Sequence, residues 1–226
     1  MQFYVLKPAG GRRFSGQWAY ADQMDPVRVG GAVLCPVCRE PVTMLRWLPP
    51  HRISLSSNRP DDWGDLLWGA GFLLMVSGRF KRIFESAGLT GITRFYPPAE
   101  IVTQGASIDE EETIKSPEYR LIEIAWNGAN QDDPASGIQW GRPERIRCGY
   151  CRIGGGPRRQ ERIAVDSSTW SGDDIFTPRG APVSIMVTEK FRRVAQQAHL
   201  TNYWCVPSSR YAYDDNHPGL WYINSG

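Results

Sequence analysis

Cys35 and Cys38 form one CxxC pair and Cys148 and Cys151 form a second, in a chain that holds five cysteines in all. Two intervening residues let both sulfurs of a pair reach one ion from a tight turn. Pro36 stiffens the first turn and Gly149 loosens the second. Four thiolates suit Zn²⁺, which takes closed tetrahedral Cys₄ sites and keeps no open position for chemistry. One pair alone is a weak signal; two pairs at matching points of a repeated sequence are a stronger one. The spacer of about 110 residues far exceeds the roughly 15–20 of common zinc ribbons, so the metal has to bring distant segments together. Two alternatives stay open, an empty vestigial site and a redox-active pair. A thioredoxin-like motif needs a helix after its first cysteine, and Pro41 follows Cys38 too soon for one. In a reducing compartment CxxC spacing serves metal binding or redox chemistry more often than disulfides.

Other chemistry is thin. The three histidines, His51, His199 and His217, are not spaced for a zinc hydrolase helix. No Gly-x-Ser-x-Gly elbow or standard phosphate loop is present. The Gly154–Pro157 stretch lacks the Lys-Ser/Thr of a nucleotide cradle. Cys205 reads as a buried thiol with no polarising neighbour. The expectation is a non-enzymatic protein.

The elements that position the cysteines repeat along the chain. A shift of 111 residues lays Leu74–Thr90 on Ile185–Thr201 with seven identities in 17 positions. Met75 and Val76 meet Met186 and Val187, Phe80 meets Phe191, and Leu89 and Thr90 meet Leu200 and Thr201. The cysteines follow at a shift of 113. In each copy a short apolar strand leads to Ser77 or Thr188, placed as a helix N-cap. Apolar residues at spacings of three and four then mark one buried helical face, with Phe80, Ile83, Phe84 and Ala87 in the first copy. Gly88 is placed as a left-handed cap, with His199 in its position in the second copy. The predicted fold is α+β: two related strand–helix halves in a single domain spanning 1–226, joined by the Cys₄ zinc site. The duplication is placed at about 33–97 and 146–207, with a loop-rich insertion at 103–141. Within that insertion Tyr119–Trp126 reads as a strand, and Asp109–Glu112 and Gly128–Pro134 as exposed loops. Met1–Pro8 reads as a first strand and Leu220–Ile223 as a last one.

The net charge of +2 argues against a dedicated DNA-coating protein. No apolar run approaches the roughly 20 residues of a membrane helix, and the N-terminus does not read as a signal peptide. A cytoplasmic protein with no membrane contact is expected. The best rival feature is an arginine-rich stretch around the second pair: Arg142, Arg145, Arg147, Arg152, Arg158, Arg159 and Arg162. A zinc knuckle flanked by arginine is a reasonable nucleic-acid contact, so a nucleic-acid-binding or regulatory protein is the runner-up.

The chain resembles the bacterial double-CXXCG motif family. The likeness runs through Met1-Gln2-Phe3-Tyr4, Leu34–Cys38, Arg147–Cys151 and Met186–Phe191, and covers most of the chain. It departs from the pattern after each pair, where Arg39 and Arg152 replace glycine. Glycine there tolerates positive φ, so arginine predicts strain or a different turn. The family includes immunity proteins against toxins delivered by sibling cells. The resemblance therefore implies a protein that binds and neutralises a cognate toxin. Aromatic anchors commonly centre such interfaces, and acidic loops would steer a basic toxin. That places the partner surface on two Trp/Asp loops, Trp63, Asp65 and Trp68 in one half and Trp170, Asp173 and Asp174 in the other, with Asp109–Glu112 as an accessory.

Overall fold

The apolar strands and the two helices assemble into a sheet-dominated molecule. The computed structural model describes residues 1–9, 17, 19–69, 73–102, 118–141, 148–154, 156–216 and 221–223. The expected loops Asp109–Glu112, and Arg142, Arg145, Arg147 and His217, lie outside them. Helices are few and short, Gly78–Ser86, Asp133–Ser136 and Glu189–Gln197, so α+β holds only loosely and the architecture is mixed and dominated by sheet.

Two large sheets carry the duplication. One runs in the order Trp204–Pro207, Phe3–Lys7, Met186–Thr188, Ile175–Arg179, Trp126–Gln131, Val165–Asp166. The other runs Ile92–Pro98, Tyr119–Ile124, Leu73–Ser77, Leu66–Gly69, Tyr20–Gln23, Arg52–Leu55, with Glu100–Ile101 added at the edge. Every pairing matches between the two lists. The first three steps are antiparallel, the fourth is parallel, and the fifth is antiparallel again. The register agrees as well. Phe3, Tyr4 and Val5 face Thr188, Val187 and Met186, while Tyr119, Arg120 and Leu121 face Ser77, Val76 and Met75.

This correspondence corrects the expected boundaries of the repeat. Each copy begins with a strand that leaves it and joins the other copy's sheet. Phe3–Lys7 sits between Met186–Thr188 and Trp204–Pro207, and Tyr119–Ile124 sits between Leu73–Ser77 and Ile92–Pro98. Much of the presumed insertion at 103–141 is therefore the start of the second copy. Gly128–Gln131, expected as an exposed loop, is strand, with Ala129 and Gln131 buried. The reason is local. A Cβ at Gly128 would lie 2.4 Å from Phe176 Cβ, so only glycine lets this strand close on its parallel neighbour.

The helices behave as the periodicity predicts. Ser77 Oγ accepts from Phe80 N at 3.0 Å and Thr188 Oγ1 accepts from Phe191 N at 3.2 Å, which satisfies one orphan amide in each first turn. Gly88 at φ 58° and His199 at φ 49° end the two helices in the same left-handed cap. Both helices bury their apolar faces in one core that draws Leu66, Val76, Phe80 and Phe84 from the first copy and Ile175, Val187, Phe191 and Ala195 from the second. Phe80 and Phe191 meet across it with ring centroids 6.3 Å apart. Each sheet also buries a cluster on its other face, around Trp63, Leu67 and Met75 in one and Ile163, Phe176 and Met186 in the other, and the exchanged strands contribute Tyr119 and Leu121 to the first and Phe3 and Val5 to the second. Among the described residues no helix is long and apolar enough to cross a membrane.

Candidate metal centre

Each CxxC pair sits on a turn closed by two backbone hydrogen bonds. In the first, Arg39 N donates to Cys35 O at 3.0 Å and Cys35 N to Glu40 O at 2.9 Å. In the second, Arg152 N donates to Cys148 O at 2.9 Å and Cys148 N to Ile153 O at 3.4 Å. The positions that depart from glycine keep the backbone that glycine favours: Arg39 has φ 63° and Arg152 φ 60°. The turn is unchanged and the arginines carry the strain, a left-handed conformation that costs an L-residue about 1–2 kcal/mol. Val37 N points at Cys35 Sγ, 3.4 Å away.

The two turns meet. Cys35 Sγ lies 3.9 Å from Cys148 Sγ and Cys38 Sγ lies 3.6 Å from Cys151 Sγ. All four sulfurs fall within 4.8 Å of one another. None is a disulfide; bonded sulfurs stand at about 2.05 Å. Cys35 and Cys151 are buried, Cys148 is half-buried and Cys38 is exposed. Val42, Val33, Trp126 and Ile153 pack around the cluster, so both copies contribute to its wall.

Electrostatics divide the four thiols. The amides of Cys151 and Tyr150 hold the Cys148 thiol down to about 6. Burial pushes Cys35 up, but the amides of Cys38 and Val37 and the adjoining thiols outweigh it and its pKa falls. Burial pushes Cys151 up to about 12. Cys38 is lowered by the amide of Glu40, yet burial and the thiols of Cys148 and Cys35 leave it raised. Hydrogen bonds among the thiols thus favour the thiolate at Cys35 and Cys148 and oppose it at Cys38 and Cys151, so the four do not ionise together. A cation at the centre would remove that conflict, and the donor set is compatible with a metal ion.

The Trp/Asp loops are placed differently from expectation. Trp63, Asp65 and Asp174 are buried, at 5%, 6% and 5% exposure, so they cannot meet a partner at the surface. The two aspartates instead interlock the copies. Asp65 accepts from Ser77 Oγ at 2.7 Å and Arg79 at 2.6 Å in its own copy, and from Thr201 N at 3.1 Å in the other. Asp174 accepts from Thr188 Oγ1 at 2.8 Å and Lys190 Nζ at 3.0 Å, and from Thr90 N at 3.2 Å across the divide. Arg79 also donates to Ala198 O and Lys190 to Gly88 O, each reaching the other copy's helix end. This reciprocity is the pattern of an isologous interface. Trp68 donates to Asn202 O at 2.9 Å and Trp170 to Asp173 O at 3.0 Å, both half-buried against the core. Asp173 likewise stays partly at the surface, where Ser171 Oγ donates to it at 2.6 Å. Acidic residues next to tryptophan looked like a binding loop. The missed signal was the threonine of the opposite copy, Thr90 or Thr201, which the repeat alignment already paired.

Three arginines of the basic stretch are ion-paired: Arg152 with Asp133 at 2.9 Å, Arg159 with Asp214 at 3.9 Å and Arg162 with Glu161 at 3.6 Å. Cys205 packs against the shared core and burial pushes its thiol up to about 12. Comparison with protein-family models gives no match, and comparison with curated proteins gives none either.

Proposed function

We propose that the protein is a non-catalytic binding protein stapled by one structural Zn²⁺, and that its role is to hold and neutralise a cognate toxin in the cytoplasm. The observation that carries this reading is the convergence of four thiols, two from each copy, within 4.8 Å. A Zn–S distance of about 2.3 Å gives a tetrahedron with edges of about 3.8 Å, and the cross-pair separations of 3.6 and 3.9 Å match it. Cys35, Cys38, Cys148 and Cys151 would fill all four positions and leave none for water or substrate, the arrangement of structural rather than catalytic zinc. The resemblance to the double-CXXCG family supplies the toxin-binding part. The test is expression of the chain beside the toxin encoded next to its gene. Survival together with a stable complex is expected. A chain that neither rescues the cell nor binds any neighbouring toxin would refute the immunity role. The nucleic-acid reading is weakened by the pairing of Arg152, Arg159 and Arg162 with acidic residues.

A further inference from the structure

Among the described residues eleven large hydrophobic side chains are exposed, and seven of them lie between 27 and 48: Val27, Val29, Leu34, Val37, Met44, Leu45 and Leu48. That stretch is a ribbon. Arg28–Val29 pairs with Trp47–Leu48, Leu34 bridges Pro41, and the first cysteine turn forms its tip. Concentration of apolar surface on one element is unusual unless something covers it.

Behind the ribbon opens a cleft of about 720 Å³. The Pro41–Trp47 stretch forms one wall, and the two exchanged strands, through Lys7 and Leu121–Ile124, form another with Val183 beside them. Met44, Leu45 and Val183 line it and are more than half exposed. Its charges do not cancel. Glu123 is already held by Arg46 at 3.2 Å and by Tyr96 Oη at 3.2 Å. Among the described residues Lys7 has no carboxylate partner, and it lies 5.2 Å over the Tyr211 ring. Trp47, 2% exposed, has an indole N–H with no acceptor among the described residues. A buried donor left in that state is costly, and an occupant that brings an acceptor relieves it. On the ribbon itself Arg28 and Arg39 are exposed and make no ion pair among the described residues.

We infer that the ribbon and its cleft form the docking face for a partner protein, and that the inserted segment is apolar and acidic. This rests on reading the chain as a binding protein and names the surface it would use. The cleft volume alone would suit a small amphiphile. The apolar face, however, continues along the ribbon to Val29 and Val37, outside the cleft lining, which is the footprint of a chain rather than of a single small molecule. Lys7, Arg28 and Arg39 outnumber Glu40, the one acid on the ribbon, and supply the complementary charge.

The test uses the full-length, metal-loaded chain to select phage-displayed random 12-residue peptides, with counter-selection on the Met44→Asp/Val183→Asp double variant. Retained metal and an unchanged unfolding temperature certify that the variant folds. Enriched peptides should be apolar with net negative charge. As soluble peptides they should lose at least tenfold in affinity on the double variant, and several-fold on Lys7→Glu, which leaves the apolar walls intact. Basic peptides, no enrichment, or peptides that bind the double variant equally would overturn the docking face. The last outcome would leave a binding protein with its surface elsewhere, and the toxin rescue assay reads that separately. Oleate binding that the double variant abolishes, without peptide enrichment, would overturn the proposal in favour of an amphiphile site.

Discussion

The two copies share five strand pairings in the same order and direction, but their cysteine turns are finished differently. The first turn stands at the tip of an apolar ribbon, with Val37 67% exposed and Cys38 at the surface. The second is held against the body. The Arg179 guanidinium lies 4.8 Å over Tyr150, Arg152 pairs with Asp133, and Cys151 is buried. The interior, by contrast, has kept its symmetry residue by residue: Asp65 and Asp174, Ser77 and Thr188, Arg79 and Lys190, Thr90 and Thr201. Positions that bond across the divide are constrained twice over, because each must fit its own copy and the other copy as well. Positions facing outward carry no such constraint, and there the copies have diverged in exposure and charge.

The sharpest way to break this comparison is to open the cysteine centre. Cys148→Ser removes one of the four clustered sulfurs from the anchored turn and, if a structural metal is held there, is expected to destabilise by about 3–5 kcal/mol, or about 10 °C in unfolding temperature, because structural metal contributes folding energy directly. Cys205→Ser, at a half-buried thiol outside the cluster, is expected to shift it by no more than about 2–3 °C. Thermal unfolding of the two variants side by side checks this, and equal shifts would deny the cluster any special role.

Next in size are the interlocking aspartates. Asp65→Ala strands Ser77 Oγ and the Thr201 amide, and Asp174→Ala strands Thr188 Oγ1 and the Thr90 amide. Each is expected to cost about 2–4 kcal/mol, discounted for the half-exposed cations Arg79 and Lys190. Asp65 accepts one more bond, from Thr201 Oγ1 at 3.2 Å, so its loss should be the larger. Denaturant unfolding decides. A negligible cost for either would mean that the reciprocal bonds do not hold the copies together.

Smaller again is the strain in the two turns. Arg39→Gly is expected to stabilise by about 1 kcal/mol, since glycine takes φ 63° without penalty. Arg152→Gly should gain less, because it also gives up the ion pair with Asp133. The same unfolding curves, read with metal present, test the order of the two effects.

The smallest effect separates the helices. Glu189 opens the second helix, where hydrogen bonds from Arg192 and then Tyr4 hold its carboxyl down to about 2. The first helix has Gly78 at that place and no acid in its first turn. A depressed carboxyl stabilises above its unfolded pKa of about 4.3, and that contribution is lost as pH falls toward 2. Between pH 4.5 and 2 the parent protein should therefore lose stability more steeply than Glu189→Gln. Parallel pH profiles would show that the carboxylate contributes nothing.

What could be read from residues alone follows from how local each signal is. The N-caps, the apolar helical faces and the left-handed cap at Gly88 are set within a few residues, and their spacing predicted them; that His199 takes the same left-handed conformation, at φ 49°, is a finding of the structure. The meeting of Cys35 and Cys38 with Cys148 and Cys151 was legible because a metal-ligand pattern implies proximity whatever the spacer. Strand exchange was not legible. Phe3–Lys7 and Tyr119–Ile124 each read as a strand, but no local property says which sheet a strand joins. The role of Asp65 and Asp174 was hidden for the same reason, since half of their partners are about 80–140 residues away. The arginines after each pair predicted strain or a changed turn, and the strain is what the backbone holds.

One ion is expected to clasp the two strand-exchanged copies through four sulfurs. X-ray absorption at the zinc edge, on protein purified without chelator and with its metal content measured in parallel, tests it most directly. The account predicts about one zinc per chain with four sulfur neighbours at about 2.3 Å. That signal should lose one sulfur in Cys148→Ser and none in Cys205→Ser. A metal-free chain whose four cysteines are paired as disulfides, or a zinc shell containing nitrogen or oxygen in the parent protein, would contradict it.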